Sequence, residues 1–156
     1  MVACVLCVIA IVMLCGCLGT KTLPVSRPLP PAIFVEYHRT GGSAGLDDRL
    51  VIFDNGVAVI SSRTANREIK LNQTDLNKIT ALFDQAQFSM LQGNYTARRD
   101  GADFIKYSIS YHSKSVNTED SAVPPSLQPV IDEMNRIESM GFEQQQVTRP
   151  FSNFYT

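Results

Sequence analysis

The sequence predicts an α+β fold in which an antiparallel sheet of about four to six strands carries two helices on one face. Several short segments alternate apolar and polar side chains, which is the two-residue period of a strand with one buried face. Two longer segments repeat their apolar side chains at helical spacing. The order along the chain is strands, helix, strands, helix, so both helices are expected on the same side of the sheet.

Three strands and one further short apolar segment precede the first predicted helix. Ile33, Val35 and Tyr37 alternate with Phe34, Glu36 and His38 as the first strand, and Arg49 to Phe53 forms the second strand. Asn55-Gly56 follows as a type I′ hairpin turn, because both central positions of that turn need positive φ. Val57 to Ser61 then returns along the sheet. Glu68 to Leu71 either continues it after a break or adds a fourth strand.

Each helix has its own start signal. Asn72 caps the first helix, and Asp75 completes a capping-box pair with it. The second helix is expected to begin near Ser126, because Pro129 is tolerated only in the first turn, and to stop at Gly141. The buried stripes are Leu76, Ile79, Phe83 and Ala86 in the first helix and Leu127, Val130, Ile131, Met134 and Ile137 in the second.

The segment between the helices contains the clearest strand. Asn94 to Ala102 reads as a polar loop, and Phe104 to Tyr111 follows with tyrosines and isoleucines on one face and lysine and serines on the other. His112 to Lys114 then turns the chain into a strand at Ser115 to Thr118.

The chain is divided into four parts. Residues 1–16 are predicted to be a lipoprotein signal peptide, and residues 17–31 a lipid-attachment cysteine followed by a proline-rich tether. Residues 32–141 form the α+β domain, and residues 142–156 a C-terminal tail. Proline-rich segments are extended and semi-rigid, so the tether separates the domain from its attachment point.

The apolar N-terminal run ends in Leu14-Cys15-Gly16-Cys17, which resembles a lipobox. The resemblance implies cleavage before Cys17 and lipid on its sulfur. The body is then anchored at the cell membrane or outer envelope, on the extracytoplasmic side. An uncleaved transmembrane anchor is the alternative, because the run lacks the positive residues that normally precede a signal peptide.

The composition excludes several classes of function. All four cysteines lie in the first seventeen residues, so the body has neither disulfides nor thiol chemistry. A net charge of −1 gives no electrostatic footprint for nucleic acid. His38 and His112 lack the companions of a zinc site, and no serine lies in a nucleophile-elbow pattern. We therefore expect no enzyme, metal or cofactor. Asn72 and Asn94 begin short glycosylation sequons.

Four short motifs resemble the emfourin-like proteins, which are inhibitors of thermolysin-type metallopeptidases such as protealysin. They occur in the same order and cover roughly residues 32 to 139. The resemblance implies that this chain binds a secreted thermolysin-like metallopeptidase. The motifs are Arg39-Thr40-Gly41-Gly42-Ser43-Ala44-Gly45, Ala86-Gln87-Phe88-Ser89-Met90-Leu91, Gly101-Ala102-Asp103-Phe104 and Val123-Pro124-Pro125-Ser126-Leu127.

The candidate partner-binding loop is Thr40, Gly41, Gly42, Ser43, Ala44, Gly45 and Leu46. Its glycines allow close backbone approach, and Leu46 is expected to provide an apolar anchor. The same glycines also suit a plain strand connection. For the whole chain the alternative is an envelope interaction or assembly lipoprotein with no peptidase partner.

Overall fold

The computed structural model describes residues 29–97 and 103–147. Apart from Leu29 and Pro30, these residues belong to one compact unit that begins at Pro31. They form seven strands, two α-helices and two single turns of 3₁₀ helix at Phe88–Met90 and Asp120–Ala122. The strands are β1 (Ile33–Gly41), β2 (Leu46–Phe53), β3 (Val57–Ser61), β4 (Asn66–Lys70), β5 (Asn94–Tyr95), β6 (Ile105–Tyr111) and β7 (Lys114–Glu119), and the helices are α1 (Gln73–Gln85) and α2 (Gln128–Val147).

The strands lie in the order β4-β3-β2-β1-β6-β7-β5, so the first strand is central. The predicted α+β class with two helices is confirmed. The sheet is larger than the four to six strands expected, and it is mixed, because β5 runs parallel to β7. Asn94 and Tyr95 were predicted to be loop, since two residues are too short to show any period. The hydrogen bond from Asn117 N to Gly93 O, at 2.9 Å, joins this segment to the edge of the sheet.

The connection between β2 and β3 differs from the predicted type I′ turn. Gly56 has φ of +83°, whereas Asn55 is not in the left-handed region. Gly56 N donates to Phe53 O at 2.9 Å, so the connection has three residues and places the glycine last. This arrangement is typical of three-residue hairpin loops, in which a type I turn is followed by a residue in the left-handed region.

Helix α1 begins as the sequence predicts. Asp75 N donates to Asn72 Oδ1 at 3.0 Å, and Asn72 N donates to Asp75 Oδ2 at 3.2 Å. The pair satisfies two backbone donors that the first turn of a helix leaves free. All four residues of the predicted stripe are buried, and so is Phe88 beyond the helix end.

Helix α2 has its predicted stripe and its proline in the first turn, but the prediction that it ends at Gly141 is wrong. It continues to Val147, so residues 142–147 belong to the helix and not to the predicted tail. A Cβ built on Gly141 would overlap the side chain of Ile60. Gly141 therefore permits close approach of the helix to β3, which is a packing role and not a stop signal.

The core lies between the helices and one face of the sheet. Its largest fully buried apolar side chains are Tyr37, Leu50, Ile52, Ile60, Phe83, Ile79, Ile109, Leu127, Ile131, Met134 and Ile137. On the opposite face of the sheet, side chains such as Val51, Val59 and Ser108 are only half-buried. This open face and the strand ends are where the polar groups considered next are found.

Candidate functional site

The predicted binding loop is the tip of the hairpin between β1 and β2. Thr40 and Gly41 belong to β1, and Leu46 begins β2, so only residues 42–45 connect the strands. Gly41 pairs with Leu46 across the hairpin and with Ile105 of β6 on its other side. The tip thus emerges from a strand that is hydrogen-bonded on both sides.

The glycines of the hairpin hold it in one conformation. Gly41, Gly42 and Gly45 have φ of +90°, +69° and +60°, a region that other residues rarely adopt. Gly42 N donates to Phe104 O at 3.2 Å, and Gly45 N donates to Gly42 O at 2.9 Å. A Cβ on Gly41 would lie 2.6 Å from Phe104 O. The loop is therefore tightly turned, and its glycines are required by its shape.

The exposed part of the loop is its middle. Ser43 and Ala44 are exposed, whereas Leu46 is half-buried. The expected apolar anchor is thus only partly accessible. The guanidinium of Arg63 lies beside Gly45, because a Cβ there would be 3.1 Å from Arg63 Nη1. A partner that met the tip would also meet this positive charge.

A groove with a volume of about 240 Å³ lies on the open face of the sheet beside the hairpin. Its floor is a row of polar side chains at paired positions on neighbouring strands. His38 pairs with Ser108, Ser108 with Asn117, and Asn117 with Asn94. Thr40, from the predicted loop, lines the same groove, so the hairpin and the groove are adjacent.

The charges in the groove differ in their partners. His38 Nε2 lies 3.0 Å from Asp47 Oδ1, and Glu119 Oε2 accepts from Ala97 N at 2.9 Å. Lys106 is exposed and has neither an ion pair nor a hydrogen bond to any residue in the described ranges. Sequence reasoning did not find this groove. Its outer wall is β5, whose two residues carry no recognisable strand pattern.

A buried polar cluster lies beneath the hairpin, between the sheet and α2. Arg39 reaches three partners: Nε is 3.0 Å from Asp48 Oδ2, Nη1 donates to Asn135 Oδ1 at 2.9 Å, and Nη2 is 3.1 Å from Glu138 Oε2. The hydroxyl of Tyr37 donates to the same Asn135 oxygen at 2.9 Å. We call these five residues the Arg39 cluster.

Glu138 is the most enclosed charged group of the Arg39 cluster, with 1% of its surface exposed. Burial raises its pKa to about 7, the Arg39 charge acts in the opposite direction, and Asp48 adds to the increase. Burial also raises the pKa of the Tyr37 hydroxyl, and the nearby Glu138 raises it further. Tyr37 therefore stays protonated and acts as a hydrogen-bond donor.

The sequence pattern contains an indication of the Arg39 cluster, although the motifs did not predict it. Arg39 follows Val35 and Tyr37 at strand spacing, and Asp48 precedes Leu50 in the same way, so both point to the buried face. Glu138 lies seven residues after Ile131, which places it on the buried side of α2. A charge at an inward position on each of three elements predicts that they meet.

The remaining predicted residues have separate positions. Cys17 lies outside the described residues. Asn72 is the cap of α1, and Asn94 Oδ1 accepts from Asn117 Nδ2 at 3.1 Å. His112 lies in the β6–β7 turn, four residues after Ser108, which is the partner of His38 on the neighbouring strand.

The described ranges contain neither a metal-binding group of side chains nor a membrane-spanning helix. No group of three or more His, Cys, Asp or Glu side chains in residues 29–97 and 103–147 is arranged to hold a metal ion. None of the helices in the described part of the chain has the length and apolar character needed to cross a bilayer.

Comparisons of the chain with protein-family models, with curated proteins and with solved structures give no match. The function is therefore inferred from the sequence pattern and from the geometry of the hairpin and the groove.

Proposed function

We propose that this chain is an extracytoplasmic binding protein, anchored to a membrane through Cys17, that inhibits a thermolysin-like metallopeptidase by inserting the β1–β2 hairpin tip into its cleft. The observation that carries the proposal is the rigid, glycine-shaped tip at residues 42–45, within the motif that resembles the emfourin-like proteins. The proposal needs no catalytic group, metal or cofactor on this chain.

Rigidity is the property that an inhibitory loop needs. Ordering a loop on binding lowers affinity, so a loop already held in one shape binds more tightly. Gly41 is hydrogen-bonded between β2 and β6, and Gly42 is fixed to Phe104. The small exposed side chains of Ser43 and Ala44 suit a narrow cleft.

The hairpin tip lies at the opposite end of β1 from the start of that strand. The chain enters β1 at Ile33, and the tip follows the other end of that strand at Gly41. Nine extended residues separate these ends by about 27 Å. The tip is thus a full strand length away from the residue at which β1 begins.

Inhibition can be tested with a matched pair of variants in which an exposed alanine is replaced by aspartate. The full chain is titrated against a panel of thermolysin-like metallopeptidases, and hydrolysis of a peptide substrate is measured. Ala44→Asp places a charge on the tip and is expected to raise the inhibition constant at least tenfold, which is about 1.4 kcal/mol. Ala81→Asp makes the same change on the exposed side of α1 and is expected to leave inhibition unchanged.

Two results would count against the proposal in different ways. If the wild-type chain inhibits no member of the panel, it is not a thermolysin-like peptidase inhibitor. If both variants inhibit equally well, the chain is an inhibitor but the hairpin tip is not its contact surface.

The groove supports a second function, that of an envelope interaction or assembly lipoprotein with no peptidase partner. Its polar floor and the ammonium of Lys106, which pairs with none of the residues in 29–97 and 103–147, fit an acidic or strongly polar group on an envelope component. Crosslinking of the lipidated chain, with Lys106→Gln compared against Lys114→Gln at the other end of the sheet, tests this function. Loss of one crosslinked species with Lys106→Gln alone would support it, and identical patterns would exclude the groove.

A further inference from the structure

Two buried glutamates on α2 have opposite electrostatic surroundings. Glu133 is 5% exposed and lies 2.6 Å from both Lys78 Nζ and Arg136 Nη2. Burial pushes the pKa of Glu133 upward, but hydrogen bonds from Arg136 and Lys78 outweigh burial and the net pKa is lowered. Glu133 therefore has two cations within contact distance and remains ionised.

Glu138 lies in the reverse situation. Among the described residues, Arg39 is its one cation within ion-pair distance, and Arg39 is shared with the buried carboxylate of Asp48. When both acids are ionised, the Arg39 cluster has two negative charges and one positive charge in a buried space. Neither oxygen of Glu138 accepts a well-formed hydrogen bond from a described residue. A proton on Glu138 makes the cluster neutral.

The other charged groups near Glu138 do not supply the missing positive charge. His38 of β1 contributes a weak favourable interaction, but its ring pairs with Asp47 at 3.0 Å. The Cβ of Arg67 in β4 lies beside Gly141, one turn beyond Glu138, and the Arg67 guanidinium donates to Asn66 O at 2.9 Å. Tyr37 is a neutral donor whose hydrogen bond goes to Asn135.

We infer that Arg39 and Glu138 form a proton-dependent clamp between α2 and the base of the β1–β2 hairpin. With Glu138 protonated, Arg39 neutralises Asp48 and α2 packs on a neutral cluster. When the proton leaves, an excess negative charge is buried under the hairpin, and the helix is held less firmly. Arg39 and Asp48 are paired across the hairpin two residues from Gly41 and Leu46, so the effect reaches the tip. This inference does not depend on the proposed inhibitory function.

The sign of the pH effect follows from linkage. Glu138 has a pKa near 7 when folded and an ordinary value of 4.5 when unfolded. Between these values the folded chain binds more protons than the unfolded chain, so stability decreases as pH rises. The contribution of Glu138 is fully present below pH 4.5 and is lost as pH passes through 7.

The test is thermal unfolding of the full chain between pH 5 and pH 8.5, compared among wild type, Glu138→Gln and Glu133→Gln. Glutamine has the same shape as a protonated glutamate and cannot ionise. Glu138→Gln is expected to gain stability relative to wild type as pH rises, with a relative increase in Tm of roughly 5–10 °C across the range. Glu133→Gln is expected to lower Tm and to keep the pH dependence of wild type.

Two further measurements make the outcome decisive. Carbon-13 NMR of glutamate carboxyl groups in the wild-type chain should show one group that titrates near pH 7, and this result does not require any variant to fold. Amide exchange at pH 8 should be slower in the hairpin of Glu138→Gln than in wild type. Parallel Tm curves for wild type and Glu138→Gln, or no carboxyl titration between pH 6 and 8, would overturn the inference.

Discussion

Gly141 of α2 packs directly on the side chain of Ile60 in β3, with no room between them for a Cβ atom. The glycine lies inside the helix, where it lowers helical stability by about 1 kcal/mol relative to alanine. Close contact between helix and sheet offsets that loss. The pair therefore sets the distance of α2 from the sheet on the β3 side.

Gly141→Ala is expected to destabilise the protein, although alanine is the better helix former. Its methyl group would overlap Ile60, and overpacking of this kind costs roughly 1–3 kcal/mol. Ile60→Val removes the Cδ1 atom responsible for the overlap and on its own costs about 1 kcal/mol. In chemical denaturation the double variant should be more stable than the sum of the single effects predicts. Strict additivity would show that the contact is not what requires glycine.

Asn72→Ala should lower the free energy of unfolding by about 1 kcal/mol, because the backbone N–H of Asp75 loses its acceptor. The matched control is Asn77→Ala, which changes the same residue type at an exposed site on the same helix. That control is expected to stay within about 0.5 kcal/mol of wild type. Equal losses in the two variants would contradict a capping role for Asn72.

Gly41→Ala should destabilise the hairpin and, if the tip is the inhibitory surface, also weaken inhibition. The added methyl group meets Phe104 O, and the φ of +90° is unfavourable for alanine. A strained residue of this kind costs about 1–3 kcal/mol. Gly93→Ala is the control, since a Cβ there meets nothing within 4 Å. If thermal unfolding gave the same Tm for both variants, the turn would not need its glycine.

Asn135→Leu should be among the more damaging single substitutions on α2. It leaves the Tyr37 hydroxyl and Arg39 Nη1 without their shared acceptor, at about 1–3 kcal/mol for each unsatisfied group. Tyr37→Phe removes only one donor and should cost about 1 kcal/mol. Denaturation of both variants and of the double variant gives the coupling. A larger loss for Tyr37→Phe than for Asn135→Leu would show that the amide is not the central acceptor.

The sequence pattern predicts those parts of the fold that depend on interactions between residues close together in the chain. The alternation at Ile105 to Tyr111 and the capping pair of α1 depend on residues within a few positions of each other, and both are as expected. The strand β5 and the packing role of Gly141 depend on contacts with distant residues. The hydrophobic periodicity of their own segments gives no indication of those contacts.

The candidate site shows the same division. The glycine-rich motif predicts a turn after β1, and the structure has one. The turn is shorter than the predicted loop, because pairing with β6 extends β1 as far as Gly41. In the Arg39 cluster, Arg39 and Glu138 pair directly although they are 99 positions apart, so its composition depends on tertiary packing. In the sequence, the cluster is indicated by the inward-facing positions of Arg39 and Asp48 on their strands and of Glu138 on its helix.

The central position of β1 has a mechanical consequence. A pull on the N-terminal side enters the fold at Ile33, while a bound partner would hold the other end of the same strand near Gly41. Such a load acts along the strand, and β1 is bonded to β2 and β6 over most of its length. Because both points lie on one strand, the covalent backbone of β1 carries the load, and the hydrogen-bond ladders to β2 and β6 bear little of it. A tethered chain that binds its partner at the hairpin would therefore transmit force through a single strand without pulling on the rest of the fold.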